Sequence, residues 1–206
     1  METIKRLSFI FAFSVLSHIA MAQSQTMVQT AFAKSYEYEQ ASKYSSAISE
    51  LKSVYKADGY FVNIRLGWLY YLAKQYSESI KYYNIAIALK PYAIEARFGC
   101  IKPLSAVENW ESVKAHYIQI LKIDPQNTVA NYWLGVIYYN RKNYIAAEKL
   151  FEKVVNLYPL DYDSIIMLAW TKQNLSKSPD AKILFHQALV IRPNDSSAQA
   201  GIKQLR

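Results

Sequence analysis

Histidine, cysteine and paired carboxylates are the side chains best suited to chemistry, and in this 206-residue chain their spacing assembles no reaction centre. Of the three histidines, His18 lies in the leading apolar run. Neither His116 nor His186 has a Cys, His or carboxylate three or four residues on, the spacing at which one helix presents two metal ligands. Glu108 and Glu111 could share a helix face, but they flank an expected helix start, where acidic side chains favour the dipole. The chain holds no GxGxxG, P-loop or GxSxG run, and its five glycines leave little for a phosphate-cradling loop. Cys100 is single, so no internal disulfide forms, and a lone thiol reads as a packing residue. No enzyme, cofactor or metal is expected.

What the chain has in abundance is aromatic surface: 18 Tyr, 8 Phe and 4 Trp. The elements that must position these rings follow from one period. Pro91, Pro125, Pro159 and Pro193 stand 34 residues apart, each after an apolar tail such as "EKVVNLYP". Proline belongs there because it has no amide donor and cannot continue a helix. Within "NYWLGVIYYNRKNYIAAEKLFEKVVNLYP", Tyr132, Leu134, Gly135 and Tyr138 fall on one helix, and Ala147, Phe151, Val154 and Val155 on a second. "NRKNY" is the turn between them. Gly135 opposite Ala147 lets two antiparallel helices approach closely. Such a hairpin cannot bury both faces alone, so each copy must stack on its neighbours.

The pattern resembles the tetratricopeptide repeat, whose signature runs Trp-x2-Leu-Gly-x2-Tyr, then Ala-x3-Phe, then Pro. Leu134, Gly135, Tyr138, Ala147, Phe151 and Pro159 match it, with Asn131 where the family prefers Trp. Leu66, Gly67, Tyr70, Ser79, Tyr83, Ala86 and Pro91 make a second copy, and Leu168, Ala169, Ala181, Phe185, Ala188 and Pro193 a third, with Lys172 at the usual Tyr. The resemblance implies an all-α fold, a right-handed superhelical solenoid of antiparallel helix pairs. About five hairpins and a C-terminal capping helix are expected: a degenerate hairpin over 26–58, repeats over about 60–91, 92–125, 128–159 and 162–193, and a cap over 196–206. No Pro/Gly-rich linker divides 23–206, which reads as one domain. In the second repeat Phe98–Gly99 resembles Leu–Gly two residues early, and Pro103 follows, so the first helix is expected to end near Ile101 with a longer connection through "PLSAVEN". Asn109 is the expected N-cap of the next helix. In the first hairpin Lys34–Ser35 replaces Leu–Gly.

In this family the first helix of each pair lines a concave groove. Carried over by position, the resemblance places Phe61, Ile64, Trp68, Tyr71, Tyr132, Tyr139, Ile166 and Trp170 there. The Lys and Asn with which chaperone adaptors of this family clamp a terminal carboxylate are absent; Arg65 and Arg97 sit one place further on and are the groove residues left to contact an acidic group of a partner. The expected function is that of a non-enzymatic scaffold holding a peptide or partner helix against aromatic side chains. The alternative occupant is a carbohydrate or cell-wall glycan stacked on the rings. Self-association through the terminal faces stays open.

Lys5 and Arg6 precede an uncharged run from Leu7 to Ile19, and Ala20 and Ala22 place small residues before a cut at Ala22–Gln23, the order of a secretory signal peptide. The run is short for a membrane span and is broken by Ser8, Ser14, Ser17 and His18. A periplasmic or secreted destination is expected, with no transmembrane segment after cleavage. The net charge of +8 is spread along the chain, with Arg141–Lys142 the one adjacent basic pair after the leader. Nucleic-acid binding would want a basic stripe and is not expected. The intact mass of protein recovered outside the cytoplasm should correspond to residues 23–206; recovery there with residues 1–22 attached would overturn the cleavage.

Overall fold

The computed structural model describes residues 25–205, so the leader expected over 1–22 lies outside the described residues. Every regular element among them is a helix: α1 over 25–40, α2 Tyr44–Ser53, α3 Tyr60–Leu72, α4 Tyr76–Leu89, α5 Glu95–Ala106, α6 Trp110–Ile123, α7 Thr128–Asn140, α8 Tyr144–Leu157, α9 Tyr162–Asn174, α10 Ser178–Ile191 and α11 Ser196–Gln204. They group into two compact units, one ending at Val107 and one beginning at Glu108. In the first unit α3 packs on α4, and α4 on α5. In the second, α6 to α11 pack each on the next.

In the hairpins α1–α2, α3–α4, α7–α8 and α9–α10 the turn is closed by a Schellman motif, the 6→1 and 5→2 hydrogen bonds that satisfy the last carbonyls of a helix. Gln75 N–H donates to the Tyr70 carbonyl and Lys74 N–H to that of Tyr71, both at 2.9 Å; Asn143 and Lys142 repeat this onto Tyr138 and Tyr139 at 2.9 and 2.8 Å. The motif requires a left-handed residue, which is Ser42, Lys74, Lys142 or Ser176 at φ 56 to 59°. The next repeat begins with a different device. Asn131, in place of the tryptophan, is fully buried and donates from Nδ2 to the carbonyls of Pro125 (3.1 Å) and Asn127 (2.9 Å). Asn63 does the same to Ala57 (3.1 Å) and Gly59 (2.8 Å), and the Arg97 guanidinium reaches the Pro91 carbonyl at 3.2 Å. One side chain thus pins three of the inter-repeat turns; before α9 the equivalent residue is the buried Ile165.

Two expectations for the second repeat are corrected. α5 does not end at Ile101: it runs to Ala106 with Pro103 inside it, and the Val107 N–H still bonds the Pro103 carbonyl at 3.1 Å. The ring removes one amide hydrogen bond, and its complete burial in the core offsets that loss. Nothing is inserted either. α4, α6, α8 and α10 begin at Tyr76, Trp110, Tyr144 and Ser178, one period apart throughout. Buried Cys100 and Ile101 therefore occupy the Leu–Gly positions, and burial pushes the Cys100 thiol up to about 12, leaving it protonated and inert at neutral pH. Gly99 has another task. A Cβ there would come within 2.2 Å of the Tyr83 ring, and one at Gly67 within 2.9 Å, so the two glycines make room for one buried tyrosine from both sides.

Helix starts differ between the units. Asn109, Asn127, Asn143, Asp161 and Asp195 each accept from a backbone N–H three residues on, which bears out Asn109 as the cap of α6. In the first unit α2 to α5 begin at Lys43, Gly59, Gln75 and Ile94, without a side-chain cap bond. Two substitutions of opposite sign should follow in thermal unfolding. Gly99→Ala should lower stability by about 1–3 kcal/mol through overpacking against Tyr83, despite its better helix propensity. Gln75→Asn should raise it by about 0.5–1 kcal/mol, because Asn already caps the equivalent positions 109 and 143.

Candidate functional site

Two helices of the first unit aim side chains at one another at helical spacing. On α3, Arg65, Trp68 and Leu72 lie at i, i+3 and i+7; on α1, Tyr36, Glu39 and Gln40 lie at i, i+3 and i+4. With Tyr44, the first residue of α2, these side chains line a cleft of ≈ 530 Å³. Its floor is an ion pair. Arg65, only 6% exposed, presents Nη1 to Glu39 Oε2 and donates from Nε to Ser35 Oγ at 3.2 Å. The guanidinium carbon stands 3.8 Å from the Tyr36 ring centre. Glu39 Oε1 accepts from Trp68 Nε1 at 2.7 Å. Arg65 Nη2 is buried and has no hydrogen-bond partner. Ser35, standing where the signature would have glycine, is itself buried and donates a hydrogen bond to the Phe32 carbonyl at 2.7 Å.

Of the residues chosen by position, Arg65 and Trp68 meet in this cleft, and Tyr71 flanks it with its ring 5.6 Å from that of Trp68. Lys102 places its ammonium 5.8 Å from the Trp68 ring. The others lie elsewhere. Phe61 is 71% exposed, with the Lys90 ammonium 5.3 Å from its ring. Ile64 packs on Tyr60, Ala86 and Ala96, and Arg97 is engaged with its turn. In the second unit, Tyr132 meets Phe151 edge-on at 5.9 Å and Tyr139 meets Tyr144 at 5.4 Å, its hydroxyl accepting from Asn174 at 3.3 Å. Ile166 is buried in the core. Trp170 stands on Phe185 at 5.0 Å and donates to Ser197 Oγ at 2.9 Å, so its ring packs the unit to which it belongs. Sequence reasoning missed Tyr36, Glu39 and Gln40, because α1 lacks the Leu–Gly pair that would have set its register. The available signal was a carboxylate facing Arg65 from the preceding first helix.

A second charged cluster, in the second unit, closes on itself. The Lys172 ammonium, where the signature has tyrosine, bonds Glu148 and Glu152 at 2.8 Å each, and Lys177 also reaches Glu148 at 2.7 Å. Burial alone would raise the Glu148 carboxyl; the hydrogen bonds from Lys172 and Lys177 outweigh it and hold the group below its ordinary range. Burial would likewise lower Lys172, and its two carboxylate partners reverse that and raise it. Among the described residues no three His, Cys, Asp or Glu side chains are grouped to hold a metal ion, and no helix is long and apolar enough to cross a membrane.

Family models described as tetratricopeptide repeat match residues 32–94 and 129–161. A solved tetratricopeptide repeat protein from Parabacteroides merdae is similar over 87% of this chain and 72% of its own, at 18% identity and a TM-score of 0.73. The MamA protein is similar over 80% of this chain and 91% of its own, at 16% identity and a TM-score of 0.69. A MamA AMB-1 structure covers 86% and 96%, at 18% identity and a TM-score of 0.68. No curated protein matches the chain.

A depressed carboxyl stabilises the fold above its unfolded value, near 4.3, and that contribution disappears as pH falls through the folded value. Glu148→Gln should therefore lower the melting temperature at neutral pH, where it leaves Lys172 with one close carboxylate. It should also narrow the gap to wild type as the buffer is taken below about pH 4.3 and on to about pH 3. An unchanged gap across that range would deny the cluster this role.

Proposed function

The chain is a tetratricopeptide-repeat protein, and from that premise we propose that it serves as an exported, non-catalytic module that holds a polypeptide partner in the cleft between α1 and α3. Proteins of this fold are protein-interaction modules in general. The observation that carries the finer reading is the cleft itself. It is walled by Tyr36, Tyr44, Trp68 and Leu72, and its floor is held rigid by the Arg65–Glu39 pair, so little ordering is lost when a partner docks. Aromatic anchors in a preformed recess are the composition of an interaction hot spot. A glycan is less well served. The cleft's charged and indole groups, Arg65, Glu39 and Trp68 Nε1, are already bonded to one another and so are not offered to sugar hydroxyls. Export rests on the leader-like residues 1–22.

Gln40 is exposed on the cleft rim, so Gln40→Trp should plug the recess without disturbing the core. Phe61→Ala removes an exposed ring outside the cleft. Affinity capture from envelope extract should yield a polypeptide held by wild type and Phe61→Ala and lost by Gln40→Trp, with all three melting alike. A partner kept by Gln40→Trp would move the binding surface away from the cleft.

A further inference from the structure

The Arg65–Glu39 pair does more than brace a wall, and what it does rests on reading the cleft as the partner site. A buried guanidinium bordering a recess is normally a receptor for an incoming anion. Here the anion is already supplied by the chain. One Glu39 oxygen takes Arg65 Nη1 and the other takes the Trp68 indole at 2.7 Å, while Arg65 Nε is used by Ser35 and the guanidinium face by Tyr36. The pair is neutral as a unit. The remaining nitrogen, Nη2, is buried and offers nothing to solvent.

A second carboxylate entering the recess would meet Glu39 at close range, a like-charge juxtaposition, and would find Arg65 Nη1 and Nε already bonded. An ammonium would meet Arg65. What the recess leaves available is the rings of Tyr36, Tyr44 and Trp68, the Leu72 side chain and the Gln40 amide. Lys102, the further cation beside Trp68, is solvent-exposed and therefore screened.

We infer that Glu39 is a built-in occupant of the Arg65 subsite and so sets the ligand class of the cleft: an uncharged aromatic or aliphatic side chain of a partner polypeptide, with carboxylate-bearing groups refused. Glu39 is on this account a specificity residue. Its removal should convert the recess into a carboxylate receptor, because the guanidinium left behind is buried and charged and needs a counter-ion.

The test uses the full chain, the probes N-acetylphenylalanine amide and N-acetylphenylalanine, and the indole 15N–1H resonance of Trp68, identified by its loss in Trp68→Phe. In wild type the amide should shift this signal, and the acid should bind about tenfold more weakly or worse. In Glu39→Gln the order should invert, and acetate should raise the melting temperature of this variant but not of wild type. Glu37→Gln, an exposed carboxylate on the same helix, should keep the wild-type order. Equal response of wild type to acid and amide, or preference for the acid, overturns the inference even if Glu39→Gln does not fold. Silence towards both probes overturns it too. Capture of a partner that Gln40→Trp abolishes would then preserve the cleft as a docking site, so the two failures are told apart.

Discussion

Three of the repeats depend on one contact, an aromatic ring from the second helix pressed into a place where a neighbouring helix has no side chain. Phe151 lies where a Cβ on Gly135 would stand 2.8 Å away, and Phe185 where one on Gly201 would stand 2.2 Å away. Tyr83 has glycines on both sides. Dispersion forces and apolar burial both favour this arrangement, but it also sets register: a ring this size fits only where the facing backbone is bare, so a slipped helix would clash. The other repeated features, the Schellman turns and the side chains that pin the inter-repeat turns, work within a register that the ring and its bare neighbour already impose.

Because each repeat in such an array touches only its neighbours, a departure from the signature needs only a local remedy. The chain carries several. Asn63 and Asn131 stand for tryptophan and repay the lost bulk with two hydrogen bonds each to the turn behind them. Lys172 stands for tyrosine, and Glu148 and Glu152 answer its charge. Cys100 and Ile101 stand for Leu–Gly, and the one glycine nearby, Gly99, gives its close approach to Tyr83 of the preceding helix instead. None of these remedies reaches beyond an adjoining helix.

The fold was legible from the 34-residue spacing of Pro91, Pro125, Pro159 and Pro193, since only helix ends at fixed intervals produce it. The second repeat was misread because a proline and an off-register glycine are strong local signals of a break. Their local penalty is real, yet burial of the Pro103 ring and the fit of Tyr83 against Gly99 outweigh it, and neither is visible without the neighbouring helix. The cleft was half legible. Arg65 and Trp68 follow from helical position, whereas Tyr36 and Glu39 lie on a helix with no Leu–Gly pair to set its phase. Trp170 shows the opposite failure: position in a repeat says which way a ring points, not whether Ser197 and Phe185 already hold it.

The missing Leu–Gly pair of α1 is the same fact as the cleft. With leucine and glycine at 34 and 35, the first helix would be held against its partner by apolar contact, and nothing would receive the Arg65 Nε. Serine at 35 is small enough to be buried and polar enough to accept that hydrogen bond, while Lys34 is left in solvent reaching towards Glu50 at 3.7 Å. A buried guanidinium then needs an anion, and Glu39, one turn further along α1, supplies it. The ion pair adds a polar link between the first helices of the first two hairpins, beside the apolar packing of Phe32 and Tyr38 on the core. A polar floor under aromatic walls is what makes this recess different from the packed aromatic contacts of Tyr132, Tyr139 and Trp170 in the second unit.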